Sequence, residues 1–470
     1  MTAIPSAYTT AEFFSGCGGF SRGFAQTGHF QVVFGNDVKE FALKTFERNN
    51  TQNNIGPITL NQDIRLVTDA ELVQMFENLG IGIGELDCML GGPPCQGFSQ
   101  MRRSETRQNS KIARFGGYNK LDEDPRNDLV LRFLEIVAVL KPKVVVIENV
   151  PQFLKHYHNG KEGGIAEQVK SVFNELEYEI ACDVLNAVDY GVPQLRERAI
   201  MIASRIGKIE LPIPSHHNPE TISAPDQTRW NTVSNAIADL PWNAPFSDTL
   251  GGNPGGYLDV PETKYAQLMR TSETFPYNHV ARSYHDSVLK IVALMQQGET
   301  WDNASARMRE SYQPILDEAI LNGENRDEAL KRLNSEGKII KAFYKEYYSS
   351  AYTRLDWNRP ALTITASANF LGSGRYTHPE RNRGITMREA ARLQSFDDAF
   401  TFYTSNKEGK ETENIGIGLD MIGEAVPPLL AKAIANVVIK HLDNHQENIG
   451  SESGVAVKIP SHFNSVVAQS

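Results

Sequence analysis

Through the first 205 residues, short apolar runs alternate with longer stretches of helical periodicity, and this alternation restricts the fold more than any other feature of the chain. The runs AEFFSG, FQVVFGND, LDCMLGG, KVVVIENV, ACDVLNA and RAIMIAS read as strands, and DLVLRFLEIVAVL has the spacing of an amphipathic helix. Strands joined by helix-length crossovers pair in parallel, so the expected class is α/β, a mainly parallel sheet with helices on both faces. The pattern breaks near Arg205, after which Pro212, Pro214, Pro225, Pro241, Pro245, Pro254 and Pro261 interrupt it. A second, smaller domain is expected there. Residues 284–348 are polar and helical, RPALTITASANF is again strand-like, and AVPPLLAKAIANVVIKHL predicts a helix starting after the proline pair. The expected division is 1–205, 206–414 (variable part about 206–355), a helix over 415–445 that returns to the first domain, and a tail over 446–470.

A chain of 470 residues, 40% apolar, can bury cores for two such domains. No run approaches ~18 consecutive apolar residues and the N-terminus lacks a basic region before an apolar core, so no membrane partner is expected and the compartment reads as cytoplasmic. The four cysteines, Cys17, Cys88, Cys95 and Cys182, show no C-x-x-C spacing. This argues against a metal site or disulfide framework and leaves reduced thiols.

One of those thiols has an unusual address. In GGPPCQGFSQ, Cys95 follows two prolines just past the C-terminal end of a strand, where open α/β sheets place their ligands. After it, a stretch with little apolar periodicity gathers Arg102, Arg103, Arg107, Lys111, Arg114, Lys120 and Arg126. This is either a mobile basic loop beside Cys95 or a merely solvated one, in a chain whose net charge of −10 does not announce a nucleic-acid binder. FFSGCGGFSRGF puts Phe14 at the end of a strand and Gly16, Gly18 and Gly19 in the turn before a helix. Such glycines let the backbone approach a ligand, or make only a tight turn. Asp37 ends the second strand, where nucleotide-binding folds hold ribose hydroxyls. Glu148 ends a buried strand, where a carboxyl must be paired or working; it either acts as an acid of raised pKa or caps the next segment. Arg196 and Arg198 of QLRER stand two apart, on one face if a strand has begun, or in surface salt bridges.

Taken in order, FFSGCGG, NQDI, GGPPCQGFS, ENV, QLRER, RPALTIT with HPERNRGITMREAARLQSF, and GEAVPP resemble the DNA (cytosine-5)-methyltransferase family over roughly residues 11 to 440. The resemblance implies a Rossmann-like methyltransferase sheet as the catalytic domain, a target-recognition domain that reads the sequence of double-stranded DNA, and S-adenosyl-L-methionine as cofactor. It implies Cys95 as the nucleophile that adds to carbon 6 of a flipped cytosine, Glu148 as the acid on ring nitrogen 3, and Arg198 on the base carbonyl with Arg196 as a supporting charge. For the cofactor it implies Phe14 and Leu129 on the two faces of adenine, Asp37 on the ribose and Asp63 on the adenine amino group. Gly16, Gly18, Gly19, Ile64, Pro93, Glu424, Ala425 and Val426 complete that set. Gln96, Ser99, Arg102, Arg103 and Arg126 belong by position to a loop that closes on DNA. Two positions depart from the family pattern: Val38 stands where a Trp is frequent, and Glu424 where an Asn is usual. Glu424 is expected at the start of the returning helix, either paired with the cofactor's ammonium or a protein donor, or turned outward; the outward reading is favoured.

A monomeric bacterial modification enzyme, with a cognate restriction endonuclease as a candidate partner, is the resulting expectation. Base readout would fall to side chains such as Arg270, Arg282, Asn303, Arg307 and Arg309. The competing readings are an RNA cytosine methyltransferase of the same fold, a non-catalytic DNA-binding module, and a nicotinamide-dependent oxidoreductase. The roughly 150 residues between Arg205 and Asp356 disfavour the first, the full set of catalytic residue types the second, and the Pro-Cys motif the third.

Overall fold

The computed structural model describes residues 7–453 apart from 52–54, 95–126, 156, 159–160, 163, 223, 243, 245–256, 259–261, 272–275 and 406–409. Seven strands form the central sheet: β1 (Tyr8–Phe13), β2 (Phe30–Asn36), β3 (Ile58–Leu60), β4 (Cys88–Gly91), β5 (Val144–Asn149), β6 (Glu179–Asn186) and β7 (Glu197–Ser204). Their order is β3-β2-β1-β4-β5-β7-β6, and β7 runs antiparallel to both its neighbours. The chain leaves β1 toward β2 and β3, then returns to build β4 and β5 on the other side of β1. That reversal makes the β1/β4 junction the switch point, the place where such sheets open a crevice.

Strands buried on both faces need apolar residues at successive positions, and β5 supplies them. Val145 and Ile147 enter one core with Leu72 and Phe76 of α3 (Asp69–Asn78), Phe133 of α4 (Asn127–Leu140) and Phe173 of α5 (Gly164–Glu175). Val144 and Val146 enter the other, with Phe20 and Phe24 of α1 (Gly19–Ala25) and Leu430, Ile434 and Val438 of the closing helix (Pro428–Ser453). Between α1 and α3, α2 (Glu40–Asn50) packs Phe46 where a Cβ on Gly35 would fall 2.2 Å from its ring.

Residues beyond Arg205 build a third core around Trp301, largely from α6 (Asp286–Leu294), α7 (Trp301–Leu321), α8 (Arg326–Ser335), α9 (Met387–Leu393) and α10 (Ile415–Glu424). This core also takes in Cys17 and Ala42 of the first part of the chain. The polar helical stretch is therefore as expected, whereas RPALTITASANF is not a strand. Only Ala361–Leu362 pairs, in parallel with Gln194–Leu195.

The C-terminal end also differs from expectation. One helix over 415–445 is in fact two, α10 and α11 (Pro428–Ser453): Ala425, which caps α10, is extended at φ −70°, ψ 150°, and Pro427 turns the next residue, Val426, away from the helical region. The first eight residues of the anticipated tail, 446–453, continue α11. By length and composition the stretch Ile415–Asn448 could cross a membrane, yet 61% of its most apolar window is buried inside the fold.

Candidate active site

Parallel register aligns the strand ends that carry the chemistry. Phe13 of β1 lies opposite Asn36 of β2 and Gly91 of β4, and Gly91 lies opposite Ile147 of β5. The residues that follow, Phe14, Asp37, Gly92 and Glu148, therefore sit side by side along one edge. With strands ~4.8 Å apart, the row from Asp37 to Glu148 spans about 14 Å. That is room for a nucleoside at one end and a second reactant at the other.

At the β1–β2 end the chain turns sharply. Phe14 adopts φ 56°, rare for a residue with a Cβ, and is held there by the Ser15 N–H donating to the Asn36 carbonyl at 2.9 Å and by ring contact with Phe133. Asp37 receives two backbone donors, Gly16 N–H on Oδ2 and Lys39 N–H on Oδ1, each at 2.8 Å. Burial nevertheless raises its pKa, the nearby charge of Glu424 adding to the effect. Of the three loop glycines only Gly16, at φ 51°, faces open space. Gly18, at φ 90°, makes room for Phe46, and a Cβ on Gly19 would fall 2.2 Å from the Val426 carbonyl. The latter two serve packing between elements rather than a ligand. Phe14 and Leu129 are both half-buried against the same core, and Ile64 is sunk in it. Asp63 caps the turn Ile64–Leu66 and pairs with Arg65 at 2.6 Å, which lowers its pKa. An open glycine, a tethered carboxylate and two half-buried apolar side chains fit a nucleoside cofactor.

At the β4–β5 end, Asn149 donates from Nδ2 to the Pro93 carbonyl at 3.0 Å, pinning the segment that leads into Cys95. Glu148 is paired: Arg198 Nε lies 2.6 Å from its Oε1, both side chains being mostly buried. Burial pulls the Arg198 pKa down, and Glu148 opposes that. A Cβ on Gly92 would stand 3.5 Å from Glu148 Oε2, so the carboxyl borders the stretch that carries Cys95. Cys95 itself, with Gln96, Ser99, Arg102, Arg103 and Arg126, lies outside the described residues.

Arg196 needs correction. The strand begins at Glu197, so the two arginines do not share a strand face. Arg196 is fully buried, donating from Nη1 to the Ile364 carbonyl at 2.8 Å and from Nη2 to the carbonyls of Gly423 at 2.9 Å and Ala425 at 3.0 Å. It lies close enough to Arg198 and Glu148 to feel their charges, but its hydrogen bonds clamp the returning chain. Gln194 does the same through the Gln394 side chain, which in turn donates to Ala425. Ala425 and Val426 are buried on the far side of this clamp.

Glu424 is the second correction. It ends α10 instead of starting a helix, so no N-terminal dipole offsets its charge. Nor does it stand alone facing outward, for Lys39 Nζ binds both its oxygens, at 2.6 and 2.5 Å. Val38, next to Lys39 in the chain, is exposed. Sequence reasoning missed Lys39, whose partner is 385 residues away; Asn149 was legible beside Glu148 at the strand end that leads to Cys95, but its bond to Pro93 was not.

The candidate base readers separate. Arg307 binds Glu299 through Nε and Nη2 and the Leu294 carbonyl, Arg309 donates to the Phe343 carbonyl, and exposed Asn303 gives its backbone N–H to the Thr300 cap of α7. Arg270 lies 3.8 Å over the Tyr257 ring. Arg282 lies over Tyr284 and exposed Phe370, at 5.9 and 5.6 Å from their centroids.

A doubly wound sheet whose switch-point edge carries a tethered carboxylate, an open glycine turn and a buried Glu–Arg pair defines an α/β enzyme that works with a nucleoside cofactor. The model of the C-5 cytosine-specific DNA methylases matches residues 8–440. The chain belongs to that family, which uses S-adenosylmethionine to methylate carbon 5 of cytosine in DNA. Type II methyltransferase M.DdeI of Desulfomicrobium norvegicum is 29% identical over 95% of this chain and 92% of its own length. Type II methyltransferase M1.HphI of Haemophilus parahaemolyticus is also 29% identical, over 92% and 87%. A solved structure of a putative DNA modification methyltransferase encoded within a prophage of E. coli shares the fold, with TM-score 0.60 and 21% identity over 93% of this chain and all of that one.

Proposed function

We infer that this chain is a bacterial modification methyltransferase of the type II kind, acting in the cytoplasm as a monomer on cytosine within a short duplex sequence, with a restriction endonuclease of the same specificity as its partner. Residues 1–205 with the closing helix would carry catalysis, and residues 206–414 would read DNA. What carries this reading is the Glu148–Arg198 pair beside Gly92, three residues before Cys95.

The residue types suit the chemistry. Carbon 5 of cytosine is too weak a nucleophile to accept a methyl group unaided. Addition of the Cys95 thiolate to carbon 6 pushes electrons into the ring and makes carbon 5 an enamine terminus. Glu148 delivers a proton to ring nitrogen 3, while Arg198 faces the base carbonyl and balances the carboxylate it leaves. S-adenosylmethionine, when bound, supplies an electrophilic methyl group; Phe14, Asp37, Asp63 and Leu129 would hold its nucleoside, with the Gly16 turn giving it room. The carbon 5 proton then passes to water, the thiolate leaves as the 5,6 double bond re-forms, and the proton on ring nitrogen 3 returns to Glu148. The base must come out of the duplex first, at a cost of a few kcal/mol.

Duplex DNA containing 5-fluorocytosine tests the assignment, because fluorine cannot leave as a proton does and the adduct persists. Cofactor-dependent covalent trapping is expected, lost in Cys95→Ala and kept in Cys88→Ala and Cys182→Ala. Trapping that outlives Cys95 defeats the reading.

A further inference from the structure

Three carboxylates form a chain of interacting charges that starts at the nucleoside end: Asp37 after β2, then Glu424, then Asp420 one turn before it on α10. Lys39 is tied to two of them. Its backbone N–H holds Asp37 Oδ1, and its ammonium grips both oxygens of Glu424. One residue thus links the ribose-side carboxylate to the segment Glu424–Val426, which itself lies against the glycine turn at Gly19. Asp37 borders the open space before Gly16 directly, and Lys39 connects Asp37 to Glu424. Charges interact across this region: Glu424 raises the pKa of Asp37, and after burial it is the main cause that brings Asp420 up to about 6.

The methyl donor and its product differ in charge. S-adenosylmethionine carries a sulfonium and is a net monocation at neutral pH, whereas S-adenosylhomocysteine is a neutral zwitterion. Any unpaired charge at the site therefore acts on one more than on the other. We propose that the Lys39–Glu424 ion pair is a charge mask on the cofactor site, and that by neutralising Glu424 it sets how strongly the enzyme prefers the sulfonium donor over the thioether product. The proposal rests on the reading that the β1–β2 edge holds the cofactor. It gives Lys39 and Glu424 a specificity role without contact to the reacting atoms. Removing Glu424 leaves an ammonium that disfavours the donor; removing Lys39 leaves a carboxylate that favours it. Removing both restores the balance. A unit charge ~9 Å away, at an effective dielectric constant of ~60 between those of water and a protein surface, changes the ratio about threefold.

Calorimetric titration of the full chain with each ligand gives the ratio of the two dissociation constants, product over donor, without any turnover. Relative to the unmodified protein, Lys39→Ala should raise it about threefold and Glu424→Ala lower it about threefold, and the double variant should return it to the starting value. Both side chains are half exposed, so these variants keep the fold. Ratios unchanged in all three proteins, or equal losses for both ligands, overturn the mask. Asp37→Ala separates this from the underlying reading. If it weakens both ligands while the ratios stay fixed, the mask alone fails; if it weakens neither, the edge is not the cofactor site and both fail.

Discussion

Replacing Arg196 by Met strips donors from the carbonyls of Ile364, Gly423 and Ala425, of which, among the described residues, only Ala425 keeps another side-chain donor, Gln394. Orphaned buried acceptors cost ~1–3 kcal/mol each, but the variant also removes a cation buried without a carboxylate on its guanidinium, which offsets part of that. A net loss of about 2 kcal/mol is expected in urea unfolding, with no change in the slope; a loss under ~0.5 kcal/mol would remove the clamp from the account. Glu148→Gln, by contrast, keeps the shape and removes the acid. Turnover should fall ~10²-fold or more, while donor binding measured by calorimetry stays within a few-fold, because Glu148 sits at the far end of the edge from Asp37. Near-normal turnover would leave Glu148 only its partnership with Arg198. Two arginines of one short motif thus part company, one into the wall and one into the site.

At the scale of elements, α1 and α11 pack so closely that glycine is the only residue that fits at their crossing. A Cβ on Gly23 would fall 2.4 Å from the Pro428 carbonyl and 2.5 Å from the Ala431 Cβ, with backbone on one side that cannot swing away. Gly23→Ala should cost ~1–3 kcal/mol and shift the thermal midpoint down. Gly16→Ala meets nothing within 4 Å and carries only the conformational penalty of φ 51°, about 1 kcal/mol, so its unfolding change should be the smaller one while donor affinity drops. Equal stability losses would contradict this division. All three glycines of the loop look alike in the chain; what distinguishes them is the neighbour each one meets, Phe46 for Gly18 and Val426 for Gly19.

At the scale of the molecule, buried titrating groups give stability two limbs in pH. Burial lifts Glu12, beneath the start of α1, from 4.5 to about 8 despite hydrogen bonds from Ser21 Oγ and N–H, with Asp37 adding to the rise. A folded pKa above the unfolded one means stability that is complete below pH 4.5 and lost progressively as pH climbs toward 8. His279 and His378, buried beyond Arg205, are pushed down from 6.5 to about 4, with Glu389 opposing. Their contribution is complete above pH 6.5 and lost as pH falls toward 4. Thermal midpoints measured from pH 4 to 8.5 should decline on both sides. Glu12→Gln should make the alkaline decline shallower while leaving the acid one in place; Glu413, raised to about 7, keeps some of the former. An unaltered alkaline limb would show that Glu12 titrates normally.

Local pattern carried much of this protein. Six of the seven strands, the placing of Asp37 and Glu148 at strand ends, and the helical stretch after residue 284 follow from periodicities that act within a few residues and survive any arrangement of the rest; the short edge strand Ile58–Leu60 is not among the runs that read as strands. Directions and partners did not follow. That Arg196 turns to carbonyls near Ile364 and Ala425, that Gly19 yields to Val426, and that Glu424 ends one helix and meets Lys39 depends on segments more than 150 residues apart being brought together. A side chain's charge and reach are written in its own residue; which donor or acceptor it meets is set by packing, because a buried polar group takes whatever partner the folded chain puts within about 3 Å.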